Sequence, residues 1–141
     1  MSSASPDSTV LGFDYGEKRI GVAVGQTVTR TATALCTLPA RAGQPDWVRV
    51  QALLDTWRPE CVVIGLPGTA DGAPHPLAAA IRRFGRRLHG RFGLAVEYVD
   101  ERLSSHEAAA RCAGDPARID AIAASLILET WLAEHRPEHA A

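Results

Sequence analysis

The chain has 141 residues, 46% hydrophobic and 22% charged, with a net charge of -1. That is one domain's worth of chain with enough apolar content to bury a core, and it excludes wholesale disorder. No apolar run approaches the roughly 18 residues of a membrane span and MSSASPDST lacks the order of a secretory leader, so a cytoplasmic protein with no membrane partner is expected.

Residues 1–8 and 135–141 are small or polar and are expected to fray, leaving a single domain over residues 9–134. VLGFD and RIGVAVG are two β-like runs joined by the turn-forming YGEK, hence a hairpin, and ATALCTLP is a third extended run. After a loop ARAGQP, Asp46 is placed to cap a helix in which Trp47, Val50, Leu54 and Trp57 recur at helical spacing, ending before Pro59. CVVIGLP reads as a strand buried on both faces, which completes a β-α-β crossover.

The loop GTADGAPHP leads into a helix from about Leu77 to Phe92, with Leu77, Ile81, Phe84 and Leu88 on one face and Arg82, Arg83 and Arg86 opposite. AVEYVDE is the next strand. Ser104 and Glu107 then make a capping box, and Asp115 with Pro116 begins a long last helix reaching about Glu134. The order β-β-β-α-β-α-β-α-α implies an α/β sandwich whose mixed five-stranded sheet is antiparallel at first and parallel afterwards.

Four carboxylates interrupt this pattern: Asp14 ends the first strand, Asp100 and Glu101 end the last, and Asp120 lies in the last helix. The positions sharing a helix face with Asp120 are Ala123, Ala124, Ile127 and Trp131, all apolar, so its carboxylate is directed to the packed side and needs a cation or a proton. Each has a plain structural alternative. Asp120 can satisfy free N–H groups at its helix start, Asp14 can open a turn, and Asp100-Glu101-Arg102 can be a solvated strand end. Taken together, convergence of Asp14, Glu101 and Asp120 in one pocket would call for a hard cation, Mg²⁺ or Mn²⁺, and two such ions suit phosphoryl chemistry.

Other signals are weaker. Gly16, Gly21 and Gly25 make neither a Walker A loop nor a G-x-G-x-x-G loop. Lys18 and Arg19 in the hairpin turn are placed to hold a phosphate or to lie solvated. RRFGRRLHGR, from Arg82 to Arg91, is the main basic cluster and either tracks a phosphate backbone or forms a solvated face. Cys36, Cys61 and Cys112 have no C-x-x-C spacing and read as buried thiols.

FDYGEKRIGVAVG, VVIGLP followed by DG, VDERLSSHEA and IDAIAASLIL stand in the order found in the YqgF/RuvX family of Holliday junction resolvase-like proteins, which the chain resembles from about Val10 to Leu132. The resemblance implies a ribonuclease H-like three-layer sandwich, with helices on both faces of the sheet, and a metal-dependent nuclease site of three acidic residues. Matched motif by motif, these are Asp14, Glu101 and Asp120, with Asp100 as a further candidate ligand. Asp14 would bridge two Mg²⁺ or Mn²⁺ ions. Lys18, Arg19 and Arg102 match the family's substrate-phosphate contacts, to which Arg82, Arg83 and Arg86 are candidate additions, and Gly16 is the structural turn beside the site. Gly25-Gln26 and the loop GTADG depart from the family's common Ser-Asp and L-N-M-D-G without removing a proposed carboxylate.

The implied partner is nucleic acid: the small-subunit ribosomal RNA precursor at its 5′ end, or branched DNA. A junction resolvase would be a homodimer, because paired cuts need two sites related by a two-fold axis. The rival classes are a non-catalytic nucleic-acid-binding module on the same scaffold and an actin-type phosphotransferase, for whose two lobes 141 residues leave no room.

Overall fold

The computed structural model describes residues 9–67, 77–101 and 118–134, with Pro67, Asp100 and Glu101 described by their backbone alone. In chain order the strands are β1 (Thr9–Asp14), β2 (Arg19–Gln26), β3 (Thr31–Arg41), β4 (Gln44–Pro45), β5 (Cys61–Pro67) and β6 (Ala95–Glu101). The helices are α1 (Trp47–Trp57), between β4 and β5, α2 (Ala78–Phe92), between β5 and β6, and α3 (Ile119–Glu134). The expected terminal tails, the loop GTADGAPHP, Arg102, the Ser104/Glu107 capping box, Cys112 and the Asp115-Pro116 helix start lie outside the described residues.

The sheet order is β4-β3-β2-β1-β5-β6. β1 pairs antiparallel with β2 and parallel with β5, and β5 pairs parallel with β6. The mixed sheet is therefore as expected, with six strands in place of five. The added strand, β4, lies where the loop ARAGQP was expected. It pairs Arg41 with Gln44 across the two-residue connection Ala42-Gly43, whose φ values are both positive at 52° and 81°. Such a connection normally announces itself with Asn or Gly at both positions. Here Ala42 takes the left-handed conformation at a cost of about 1–2 kcal/mol, which hides the hairpin from inspection of residue types.

Strand alternation sorts the core into two layers. Leu11, Phe13, Val22, Val62 and Ile64 face α1 and α2, whose Val50, Leu54, Ile81, Phe84 and Leu88 cover them. Val10, Ala23, Cys61, Val63 and Val99 face the other way, under Ala124, Ile127, Leu128, Trp131 and Leu132 of α3. The result is three layers with helices on both faces.

As the sequence indicated, Asp46 caps α1 by accepting from the Val48 N–H at 3.0 Å and the helix ends before Pro59; Arg58 closes it in the left-handed conformation. In α3 every residue from Ala121 to Leu128 is buried, a wider apolar surface than the single face expected. Cys61 is buried as anticipated, whereas Cys36 is only half-buried and lines a cavity of about 370 Å³ between β3 and α1.

Candidate active site

β1 is central, flanked by β2 and β5, and it ends at Asp14. Its α3-facing positions are Val10, Gly12 and Asp14: Val10 belongs to the α3-side core, and a Cβ at Gly12 would lie 2.5 Å from Leu128 Cγ. Asp14 is half-buried, and its cross-strand partner is Gly21.

Gly21 explains how the last helix comes beside Asp14. A Cβ there would overlap the carbonyl oxygen of Asp120, so the first turn of α3 rests directly on the β2 backbone. The sequence carries a signal for this contact that motif reading passed over, since Gly21, Ala23 and Gly25 make one face of β2 uniformly small. Asp14 and Asp120 are thus brought to the same end of the molecule by backbone contact.

The Asp120 side chain is 24% exposed, and its Oδ2 accepts a hydrogen bond from Arg19 Nε at 2.9 Å. The cation that the sequence required for Asp120 is thus supplied within the chain. Arg19 was expected near Asp14 as a phosphate contact; it starts β2 at this same end, with its own side chain 66% exposed. Lys18, beside it in the turn, is exposed, and its carbonyl accepts from the Ala40 N–H at 2.9 Å.

The turn from Asp14 to Arg19 is braced from behind. A Cβ at Gly16 would lie 2.6 Å from the Arg19 carbonyl oxygen, so the tight turn expected of Gly16 is enforced by close approach rather than by a positive φ. The Tyr15 hydroxyl donates to the Gly43 carbonyl at 2.7 Å, and the Gly43 N–H donates to the Glu17 carbonyl at 3.2 Å. The hidden β3–β4 hairpin therefore clamps the residues that follow Asp14. Burial, aided by the charge of Glu17, raises the Tyr15 pKa above its ordinary value of 10.0, while Arg83 and Arg87 of α2 act in the opposite direction.

β6 ends at the same edge. Val99 is in register with Gly65, Asp100 with Leu66 and Glu101 with Pro67. Position 101 has the parity of Val99, which packs under α3, and of Glu97, which accepts from Trp131 Nε1 at 3.0 Å. Position 100 has the parity of Val96 and Tyr98, which belong to the opposite layer. The carboxyl ends of parallel strands are where open α/β sheets present their ligand sites.

Among the described side chains no three His, Cys, Asp or Glu residues form a metal-binding group, and the side chain of Glu101 is not among them. Two of the three expected positions are thus linked through Gly21, which pairs with Asp14 and carries Asp120 on its backbone, and the third closes β6. Arg82, Arg83 and Arg86 are exposed on α2, in the layer opposite α3, with the Arg82 guanidinium 5.3 Å from the Tyr98 ring centroid. No helix among the described residues is long and apolar enough to cross a membrane.

Comparison with known proteins shows the family and the fold. A protein from Pseudomonas aeruginosa (strain LESB58) carrying the name "Putative pre-16S rRNA nuclease" is 48% identical over 142 residues, covering 96% of this chain and 99% of that protein. One of the same name from Azotobacter vinelandii is 50% identical over 132 residues, covering 89% and 93%. Among solved structures, Thermus thermophilus RuvC in complex with a Holliday junction substrate aligns with a TM-score of 0.56 at 16% identity, covering 90% of this chain and 94% of that one. The fowlpox virus Holliday junction resolvase aligns at 0.54 and 16%, covering 90% and 99%. These structural likenesses identify the fold as ribonuclease H-like. With the family model described as "RuvX: Holliday junction resolvase" matching residues 8–134, the chain belongs to the RuvX family.

Proposed function

We propose that this chain is a divalent-metal-dependent nuclease that hydrolyses phosphodiester bonds in the 5′ region of the small-subunit ribosomal RNA precursor. The observation that carries the reading is the seating of Asp120 on Gly21, the cross-strand partner of Asp14, which brings two carboxylate-bearing residues separated by most of the chain to the same end of β1 and β2. Relatives at 48% and 50% identity, named for nuclease action on pre-16S rRNA, support the substrate class.

Asp14, Asp120 and Glu101 are the residues that would hold Mg²⁺ or Mn²⁺, because an all-oxygen, all-carboxylate set matches hard cations. When bound, such ions would supply activation of the attacking water and stabilisation of the leaving group's charge. The rest is the work of the chain. β1, hydrogen-bonded on both sides, fixes the direction of Asp14. The clamp of Tyr15 on Gly43 holds the turn that carries Lys18 and Arg19, which would meet the substrate phosphate. The Arg19 fork suits this role because a guanidinium pairs with a phosphate through two parallel donors.

The test is side-by-side cleavage of a ribosomal precursor fragment and a four-way DNA junction, with Mg²⁺ and with Mn²⁺, using wild type and Asp14→Asn. Precursor cleavage by the wild type and none by the variant is the expected result. Preferred cutting of the junction would move the assignment to DNA, and activity persisting in Asp14→Asn would remove the site. Nucleic-acid binding without cleavage in either protein would leave the fold as a binding scaffold.

A further inference from the structure

The layer opposite α3 carries a feature that the carboxylate site does not use. α2 holds five arginines (Arg82, Arg83, Arg86, Arg87 and Arg91) and no acidic residue, in a chain whose net charge is -1. Among the described residues none of the five makes an ion pair. Arg83, Arg87 and Arg91 stand at intervals of four, which stacks them in one ridge of about 12 Å along the helix. The near end of the helix packs against the turn that follows Asp14, with the Phe84 ring centroid 5.2 Å from that of Tyr15, and Arg83 directly precedes Phe84.

The far end terminates in an aromatic pocket. The Arg91 guanidinium lies 4.4 Å from the Trp47 ring centroid. Trp47, Val48, Gln51, Arg91 and Phe92 line a depression of about 240 Å³. Val48, on its rim, is 76% exposed among the described residues. An arginine on an aromatic face explains the order of these two residues alone. It does not explain the accumulation of four further arginines along the same helix. A row of cations ending in a flat apolar and guanidinium surface is the combination that binds unpaired nucleotides, phosphates on the cations and a base stacked at the end.

We propose that the α2 ridge and the Trp47–Arg91 pocket form an extended track for single-stranded RNA flanking the cleavage point. Phosphates are held by Arg83 and Arg87, with Arg82 and Arg86 beside them, and one base stacks on the Arg91 guanidinium that covers Trp47, whose ring is itself stacked on Phe84. The proposal rests on the nuclease reading for its choice of RNA. A duplex fits less well, since its bases are already stacked and offer no free face to the pocket.

The test uses the full chain in the Asp14→Asn background, so that RNA is not consumed, and follows fluorescence anisotropy of labelled RNAs of about 4, 8 and 16 nucleotides, sizes that bracket the reach of such binding grooves. Arg87→Gln with Arg91→Gln, which removes one phosphate contact and the stacking guanidinium, is expected to weaken binding of the longest RNA at least about tenfold and to flatten its log-affinity against log-salt slope by about 0.7, one phosphate contact's worth. Val48→Glu touches no core side chain and adds a negative charge at a helix start. It is expected to weaken the same RNA several-fold without lowering thermal stability, and to affect a duplex of equal length less.

Parental affinity and salt slope in both variants would overturn the track. So would variants that alter self-association in sedimentation while binding RNA normally, since the face would then be a contact between copies. Wild-type cleavage, measured in parallel, separates the two readings. Intact cleavage with no ridge effect removes only the track, and ridge-dependent binding by a chain that cuts nothing removes only the nuclease.

Discussion

The carbonyl oxygen of Asp120 occupies the space that a Cβ on Gly21 would fill, and Gly21 is paired across the sheet with Asp14. No side chain can stand between strand and helix here, so the spacing of the two carboxylate-bearing residues is set by backbone packing. Gly21→Ala must push the start of α3 off β2. We expect a loss of about 2 kcal/mol in urea unfolding, the usual cost of forcing a methyl into a packed contact. Nucleolytic activity should fall further than the loss of folded protein explains. Wild-type activity in a well-folded Gly21→Ala protein would show that the seat does not position Asp120.

Arg19 and Asp120 separate stability from chemistry. Their hydrogen bond is short at 2.9 Å, but the arginine side chain is 66% exposed, so solvent screening limits the pair to about 1 kcal/mol or less. Arg19→Gln and Asp120→Asn should each unfold within about 1 kcal/mol of wild type. Cleavage should drop about 10- to 100-fold for Arg19→Gln, the range typical of losing a residue that orients a ligand, and further for Asp120→Asn. A large stability loss with activity per folded molecule unchanged would make the pair purely structural.

How far these relationships can be read from sequence depends on whether they are local. Asp46 as a helix cap, Pro59 as a helix stop and the apolar run of β5 were legible because each is decided within a few residues. Asp14 and Asp120 stood out because they break apolar patterns, and the small face of β2 at Gly21, Ala23 and Gly25 signals a close neighbour. Which helix that neighbour is cannot be read from it, because α3 begins about a hundred residues later. The Arg19–Asp120 pair, spanning 101 positions, was hidden for the same reason. The clamp of Tyr15 on Gly43 was hidden by a different cause, the left-handed Ala42 that disguises the β3–β4 turn.

Divalent ions should stabilise the folded chain if the three carboxylates hold them. A ligand at about 100 times its dissociation constant adds about 2.7 kcal/mol to the unfolding free energy, enough to raise Tm by several degrees in a domain of this size. Calorimetry with Mg²⁺ or Mn²⁺ should show that rise in wild type and not in Asp14→Asn at equal concentration. Equal shifts in both proteins would place the ions elsewhere.

Cys61 predicts how the fold fails in alkali. It opens β5 inside the sheet, and burial, with the charges of Glu97 and Glu60, pushes its thiol from an ordinary 9.0 up to about 12. The unfolded chain ionises this group near 9 while the folded chain keeps it protonated, so its contribution is intact below that pH and is lost as pH rises from there toward 12. The slope approaches about 1.4 kcal/mol per pH unit. Tyr15, also raised by burial, adds to the decline above 10. Urea unfolding between pH 8 and about 11, the span in which the free thiol ionises, should give curves that converge for wild type and Cys61→Ala. The variant should be less stable at pH 8 through lost packing and should fall more gently above 9. Parallel curves would show that Cys61 titrates normally. Alkylation offers a second reading: Cys36, whose thiol burial also raises but Arg49 partly draws back, is only half-buried at a cavity and should be labelled in the native state before Cys61.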